Sequence, residues 1–163
     1  MLIGLLSDSH NIRPNVRYAL EIFRTLGIQT VFHAGDLISV EILDEFKDYS
    51  LHLSFGNGDD PSEIVSKAEG MPIKPDCGEA IEMTLSGKRF FMMHGDRKAE
   101  LEQRIQSGDY DYVIHGHTHR YRDETIELTL VINPGALGGR FMGRRSFATL
   151  DPAKNELQRY YLP

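Results

Sequence analysis

The sequence predicts a mixed α/β domain with two β-sheets packed face to face and helices on the outside. Three observations carry that expectation. The first half reads as βαβαβ, the second half is mostly strand with few helices, and no Gly- or Pro-rich linker divides the chain. A length of 163 residues fits one domain, expected to span residues 1–163. A chain this long buries roughly 70% of the surface it exposes when unfolded, enough for a real core.

Residues 2–6 form a short apolar run cut off by polar residues, the pattern of a buried strand. A helix is expected from about residue 14 to 26. Pro14 suits its first turn, and Val16, Ala19, Leu20, Phe23 and Leu26 share one face. Gly27 follows as a C-cap. Residues 30–32 read as a second strand, and 40–46 as a second helix with Ser39 as N-cap. Leu51, Leu53 and Phe55 alternate as in a strand. Asp60-Pro61-Ser62-Glu63 has capping-box spacing and starts a short helix to about residue 69. Residues 80–85 and 89–93, joined by Ser86-Gly87-Lys88, read as a β-hairpin. A helix over 98–106 and a strand over 110–114 follow. From residue 125 the tail is β-rich, with strands over 130–132, 146–150 and 157–162.

Composition limits the function classes. Apolar residues make up 40% and charged residues 26%, an ordinary globular balance. The net charge of −6 argues against non-specific nucleic-acid binding, which needs a broad basic surface. It allows a small phosphate ester in a locally positive site, where divalent metals supply the charge. Cys77 is the one cysteine, so no intrachain disulfide forms, which fits a reducing compartment. The opening apolar run is too short for a signal peptide and meets Asp8 at once. No apolar stretch approaches the ~20 residues of a membrane span. A cytoplasmic location without a membrane partner is expected. A homodimer is compatible with the sequence.

Five motifs each follow an apolar run: Asp8-Ser9-His10, Gly35-Asp36, Gly56-Asn57, His94 and Gly116-His117-Thr118-His119. Each sits just past a predicted strand, where sites form on the connecting loops of α/β sheets. Carboxylate, amide and imidazole are ligands for Mn²⁺, Fe, Zn²⁺, Co²⁺ or Ni²⁺. The absence of thiolates argues against a structural zinc site. Asp8 and His10 can share one metal, His117 and His119 can reach different ones, and Asp36 has two oxygens with which to bridge. Glycines at 35, 56 and 116 are expected to let the backbone turn tightly beside the ligands.

D-x-H, G-D, G-N, H and G-H-x-H, in this order, resemble the calcineurin-like metallophosphoesterase family. The length and the Asp-Ser-His opening are similar to its small bacterial and archaeal phosphodiesterase branch, and Asn133-Pro134-Gly135 resembles that branch's late motif. The resemblance spans roughly residues 1–140. It implies a four-layer αββα sandwich and cleavage of phosphate mono- or diesters. It implies that Asp8, His10, Asp36 and His119 hold one metal and that Asp36, Asn57, His94 and His117 hold a second. Asp36, Asn57 and His94 are then the candidates closest to catalysis, with Asn57 as ligand and orienter. Manganese is the first choice of metal, with nickel, iron, zinc and cobalt as alternatives. The implied reaction is attack of a metal-bound hydroxide on the phosphorus of a small phosphodiester.

The chain departs from the family pattern at two places. Many relatives have G-N-H-[DE], whose His can protonate the leaving group; here the sequence is Gly56-Asn57-Gly58-Asp59. Many also have a His two residues after the counterpart of His94, where this chain has Asp96. General-acid help is often worth ~10²–10⁴-fold, so esters with good leaving groups are expected to react best. The lost acid keeps a second reading open, a non-catalytic protein-binding scaffold like the retromer coat subunit that resembles this family. The complete ligand set favours the enzyme.

The remaining candidates have plainer alternatives. His33 and His115 either orient a ligand or are ordinary strand histidines. His52 is expected to be structural. Asp59 is expected to cap the next helix or a turn. Cys77, in a Pro-Asp-Cys-Gly loop, lacks a base partner and is not expected to be a nucleophile. Among Arg97, Arg120, Arg122, Arg140, Arg144 and Arg145, Arg120 is the first candidate to grip a substrate phosphate. Phe141 and Met142 are read either as contacts to a base or aromatic leaving group, or as core.

Overall fold

The computed structural model describes residues 1–140 and 143–163. Phe141 and Met142 lie outside the described residues, so neither reading of them is developed further. Among the described residues, eleven strands and three α-helices are arranged as two sheets with helices on both outer faces. The first sheet contains β1 (Ile3–Leu6), β2 (Thr30–His33), β3 (Ser50–Ser54), β4 (Asp76–Gly78), β10 (Ser146–Asp151) and β11 (Glu156–Tyr161) in the order β11-β10-β1-β2-β3-β4. The second contains β5 (Ala80–Leu85), β6 (Lys88–Met93), β7 (Tyr112–Ile114), β8 (Arg122–Ile126) and β9 (Thr129–Asn133) in the order β5-β6-β7-β9-β8. β1 to β4 run parallel, as do β6, β7 and β9. The remaining pairings are antiparallel.

Three apolar clusters build four layers. Ile3, Leu5 and Phe32 of the first sheet meet Phe90, Met92, Ile114 and Ile132 of the second, filling the space between them. The other face of the first sheet (Leu6, Val31, Leu51, Leu53, Phe147) packs on Val16, Leu20 and Phe23 of α1 (Arg13–Thr25), on Phe46 and on Ile64 of α2 (Pro61–Glu69). Phe91, Met93, Val113 and Val131 cover the outer face of the second sheet with Leu101 and Ile105 of α3 (Lys98–Gln106). This is the αββα sandwich expected from the sequence.

The local signals behave as their chemistry dictates. Past α1, Gly27 takes φ +70. Its N–H bonds Arg24 O at 3.1 Å and the N–H of Ile28 bonds Phe23 O at 2.9 Å, the paired closure of a Schellman motif. The Asp60 carboxylate caps α2 by accepting the N–H groups of Ser62 and Glu63.

Some expectations need correction. Residues 40–46 form a 3-10 helix, not an α-helix, and Ser39 makes no side-chain cap. Its hydroxyl turns to Glu41 instead, and the short segment closes by tighter bonds such as Ile42 N–H to Ser39 O at 3.2 Å. Cys77 lies in a strand, not a loop, because β4 pairs in parallel with β3. The strand expected from residue 110 begins at Tyr112, and β8 starts at Arg122, ahead of the expected β-rich tail. No helix among the described residues is long and apolar enough to cross a membrane.

Candidate metal centre

The loops after β1, β2, β3, β6 and β7 carry the five motifs, so the parallel strands of both sheets deliver them. Asp8, His10, Asp36 and Asn57 come from the first sheet; His94, His117 and His119 come from the second. The β1–β2 pairing continues into the loops. Asp8 N–H bonds Gly35 O at 2.9 Å, His10 N–H bonds Asp36 O at 3.0 Å and Asn11 N–H bonds Leu37 O at 3.0 Å. Asp8, His10, Asp36, His117 and His119 all have φ between 44 and 65. This left-handed region is sparsely populated by such residues and collects at functional sites.

The side chains converge. Asp8, His10 and His119 bring ligand atoms within 4.8 Å of one another, as do Asp8, Asp36 and His94. One oxygen, Asp36 Oδ2, lies 3.5 Å from His10 Nε2 and 3.5 Å from His94 Nε2. His119 Nε2 is 3.2 Å from Asp8 Oδ1 and 3.1 Å from His10 Nε2. His117 Nδ1 is 3.3 Å from His94 Nε2. Asp8, Asp36 and His94 are buried, His10 and His119 are half-buried, and Asn57 and His117 are exposed. The centre therefore has a buried floor and an open side.

The donor set fits divalent cations. His94 Nδ1 is 2.7 Å from the Ala34 carbonyl, which can only accept, so Nδ1 carries the proton. In the neutral ring Nε2 then presents a lone pair to the Asp36 carboxylate and to His117. Asp8 Oδ1 is fully buried and accepts no aligned hydrogen bond, although His119 is close. Bare acceptors facing one another away from water are costly unless a cation sits between them. Burial works to raise the Asp8 carboxyl, but His119, the Ser7 hydroxyl and His94 outweigh it and hold it below its ordinary value. The Asp8 carboxylate in turn raises His119 against the opposing effect of burial.

Groups behind the candidate ligands fix their loops. The Asp59 carboxylate accepts the backbone N–H groups of Asp36 (2.9 Å), Ile38 (2.9 Å) and Gly56 (2.8 Å), locking the Gly35-Asp36 loop to the Gly56-Asn57 loop. Of the two roles expected, Asp59 takes the turn, closing residues 56–59 and reaching beyond them to the Asp36 loop; the adjacent Asp60 takes the helix cap. Asn133 Nδ2 donates to Gly116 O at 2.8 Å and Thr118 Oγ1 at 3.1 Å, pinning the loop of His117 and His119. His33 meets the Ser9 hydroxyl beneath the Asp8–His10 loop, and burial pushes its ring down to about 3. His115 meets Gly116 O at 3.1 Å and burial lowers it to about 4. Both therefore stay neutral behind the candidate ligands. His52 bonds Asp76 at 3.1 Å and packs on Phe32, away from the motif loops.

The glycines act mainly through space. A Cβ at Gly116 would stand 1.9 Å from Ser7 Oγ and 2.7 Å from Asp8 Oδ2, and one at Gly56 would stand 2.2 Å from Asp36 Oδ1. Neither has positive φ, so close approach explains them, not the tight turn expected; Gly35, at φ +86, does need the turn. Gly58 contributes its N–H to Asp36 Oδ1 at 2.8 Å and no side chain. Asp96 is exposed.

Arg97 and Arg122 are paired with glutamates, Arg145 bonds the carbonyls of Leu137 and Gly139, and Arg144 lies over Tyr161. Arg120, exposed immediately after His119, forms no ion pair among the described residues, and neither does Arg140.

Residues 1–155 match the calcineurin-like phosphoesterase superfamily domain, and the chain belongs to that family. It is 34% identical to the phosphodiesterase MJ0936 of Methanocaldococcus jannaschii, covering 99% of both chains. A solved archaeal phosphodiesterase superposes with a TM-score of 0.93 at 34% identity, over 99% of this chain and 100% of that one. The phosphoesterase Yfce of E. coli (TM-score 0.73, 17% identity) and a Vps29 variant of Entamoeba histolytica (0.69, 22%) share the fold, each alignment covering 100% of both chains.

Proposed function

We propose that this chain hydrolyses small phosphodiesters with the help of two divalent metals, manganese first among them. The observation that carries the reading is Asp36 Oδ2, 3.5 Å from two imidazole nitrogens delivered by different sheets, His10 Nε2 and His94 Nε2. Asp8, His10, Asp36 and His119 would hold one metal; Asp36, Asn57, His94 and His117 would hold the other. The MJ0936 relative, named a phosphodiesterase, supports the diester preference. Paired cations held there would supply an activated water and neutralise charge developing on phosphoryl oxygens.

The protein's own groups do the rest. His94 is fixed in its ligating tautomer by Ala34 O. Asn57, exposed between Gly56 and Gly58, would serve as ligand and orienter. Arg120, exposed and next to His119 in the chain, would be the group to grip two phosphate oxygens. The site lacks a side chain at Gly58 to protonate the departing alcohol, so easily departing alcohols react fastest.

Metal-stripped protein tested with each metal against an activated diester, its monoester and 2′,3′- and 3′,5′-cyclic nucleotides should show metal-dependent diester cleavage. Asp36→Asn should lose activity by about a hundredfold or more, since both ligand groups change together. Full turnover by that variant with metals bound would contradict the assignment. Metal binding without hydrolysis of any ester would leave a scaffold as the better account.

A further inference from the structure

Ile38 has a conformation that its side chain does not favour. Its φ is +73, a genuine outlier for a β-branched residue. The backbone is held there because Ile38 N–H bonds Asp59 Oδ1 at 2.9 Å, one link of the clamp that orders the Asp36 loop. The clamp needs the N–H only; glycine or asparagine would meet the same demand with less strain. Core packing does not explain the side chain either, since Ile38 is 46% exposed.

Its position does. A Cβ built on Gly58 would stand 2.4 Å from Ile38 Cδ1 and 3.1 Å from Asp36 Oδ1, so methyl and carboxylate flank the same point. Ile12, 37% exposed, follows His10 and Asn11 on the neighbouring loop, whose backbone is bonded to Asp36 and Leu37. Two exposed apolar side chains thus form a rim on the loops of the centre, Ile12 on one loop and Ile38 on the other, with Ile38 filling the space that a side chain at Gly58 would need.

We infer that Ile38, with Ile12 on the adjoining loop, is a specificity-determining residue that receives an apolar, aromatic ester arm of the phosphodiester. The inference rests on the phosphodiesterase reading. An aryl group laid on this rim removes the Ile38 methyl from water, whereas a methyl ester leaves it wet.

Bis(p-nitrophenyl) phosphate and methyl p-nitrophenyl phosphate release the same alcohol and differ in the arm that stays. The ratio of their kcat/KM values cancels general damage to the site. In Ile38→Asn, which suits the left-handed backbone, the aryl-over-methyl ratio should fall about three- to tenfold. Ile38→Gly should behave alike and serves if the first variant folds poorly. Independently of turnover, diphenylphosphinate should raise the melting temperature of the metal-loaded wild type more than dimethylphosphinate, and the variants should lose that difference. An unchanged ratio with diester cleavage intact overturns the inference alone. Failure of the wild type to cleave either diester with any metal overturns the phosphodiesterase reading and the inference with it.

Discussion

Asp59 organises the centre without being one of its candidate ligands. A carboxylate that accepts three backbone N–H groups from two loops ties each loop to the other with charge-assisted bonds. Asp59→Ala leaves those donors to water and lets the Asp36 loop move. The expected cost is about 2–3 kcal/mol of stability, read from urea unfolding of metal-free protein. Metal affinity should drop about 10–100-fold in calorimetric titration, as for other groups that orient ligands. Wild-type metal affinity in a folded Asp59→Ala protein would show that the clamp does not set the ligand geometry. The Pro61-Ser62-Glu63 context identified Asp60 as one cap, but two of the three partners of Asp59 lie 21 and 23 residues away in the chain.

Helices and long strands were legible where their signals are local. α1 shows its apolar face, its Pro near the start and its Gly past the end; α2 shows its cap box; the β5–β6 hairpin shows its turn residues. Elements decided by distant partners were not. β4 is three residues of Asp-Cys-Gly with no apolar alternation, and it is extended because β3 offers it an edge. Gly4 is a similar case. A glycine inside a strand weakens it, yet α1 seats Phe23 directly on it. A Cβ there would come within 2.3 Å of the Phe23 ring, which is fully buried. Gly4→Ala should therefore push α1 off the sheet and cost about 1–3 kcal/mol, measured as a shift in denaturation midpoint. A neutral result would mean that Phe23 can turn aside in its packed cluster.

At the scale of the whole molecule, the order of the motifs and their position after strands were enough to gather the seven candidate ligands on one list. Their division between two sheets was not legible, because strand order depends on pairings between distant segments. That division has a thermal consequence. Asp8, His10, Asp36 and Asn57 ride on one sheet and His94, His117 and His119 on the other, so a cation held by both groups rivets the two halves of the sandwich across their seam. Pulling the sheets apart must first break coordination. With free metal a hundredfold above its Kd, folding should gain about 2.7 kcal/mol at a single site. For a chain of this length that is about 5–10 °C in melting temperature. Chelation should reverse the gain, and hydrogen exchange should then speed up at the strand ends beside the loops while the far ends of both sheets keep their protection. Uniform loosening, or none, would place the cation on one sheet only. The centre proposed for cleaving esters would then also act as the fastener of the fold, and metal scarcity would be felt as fragility as well as lost turnover.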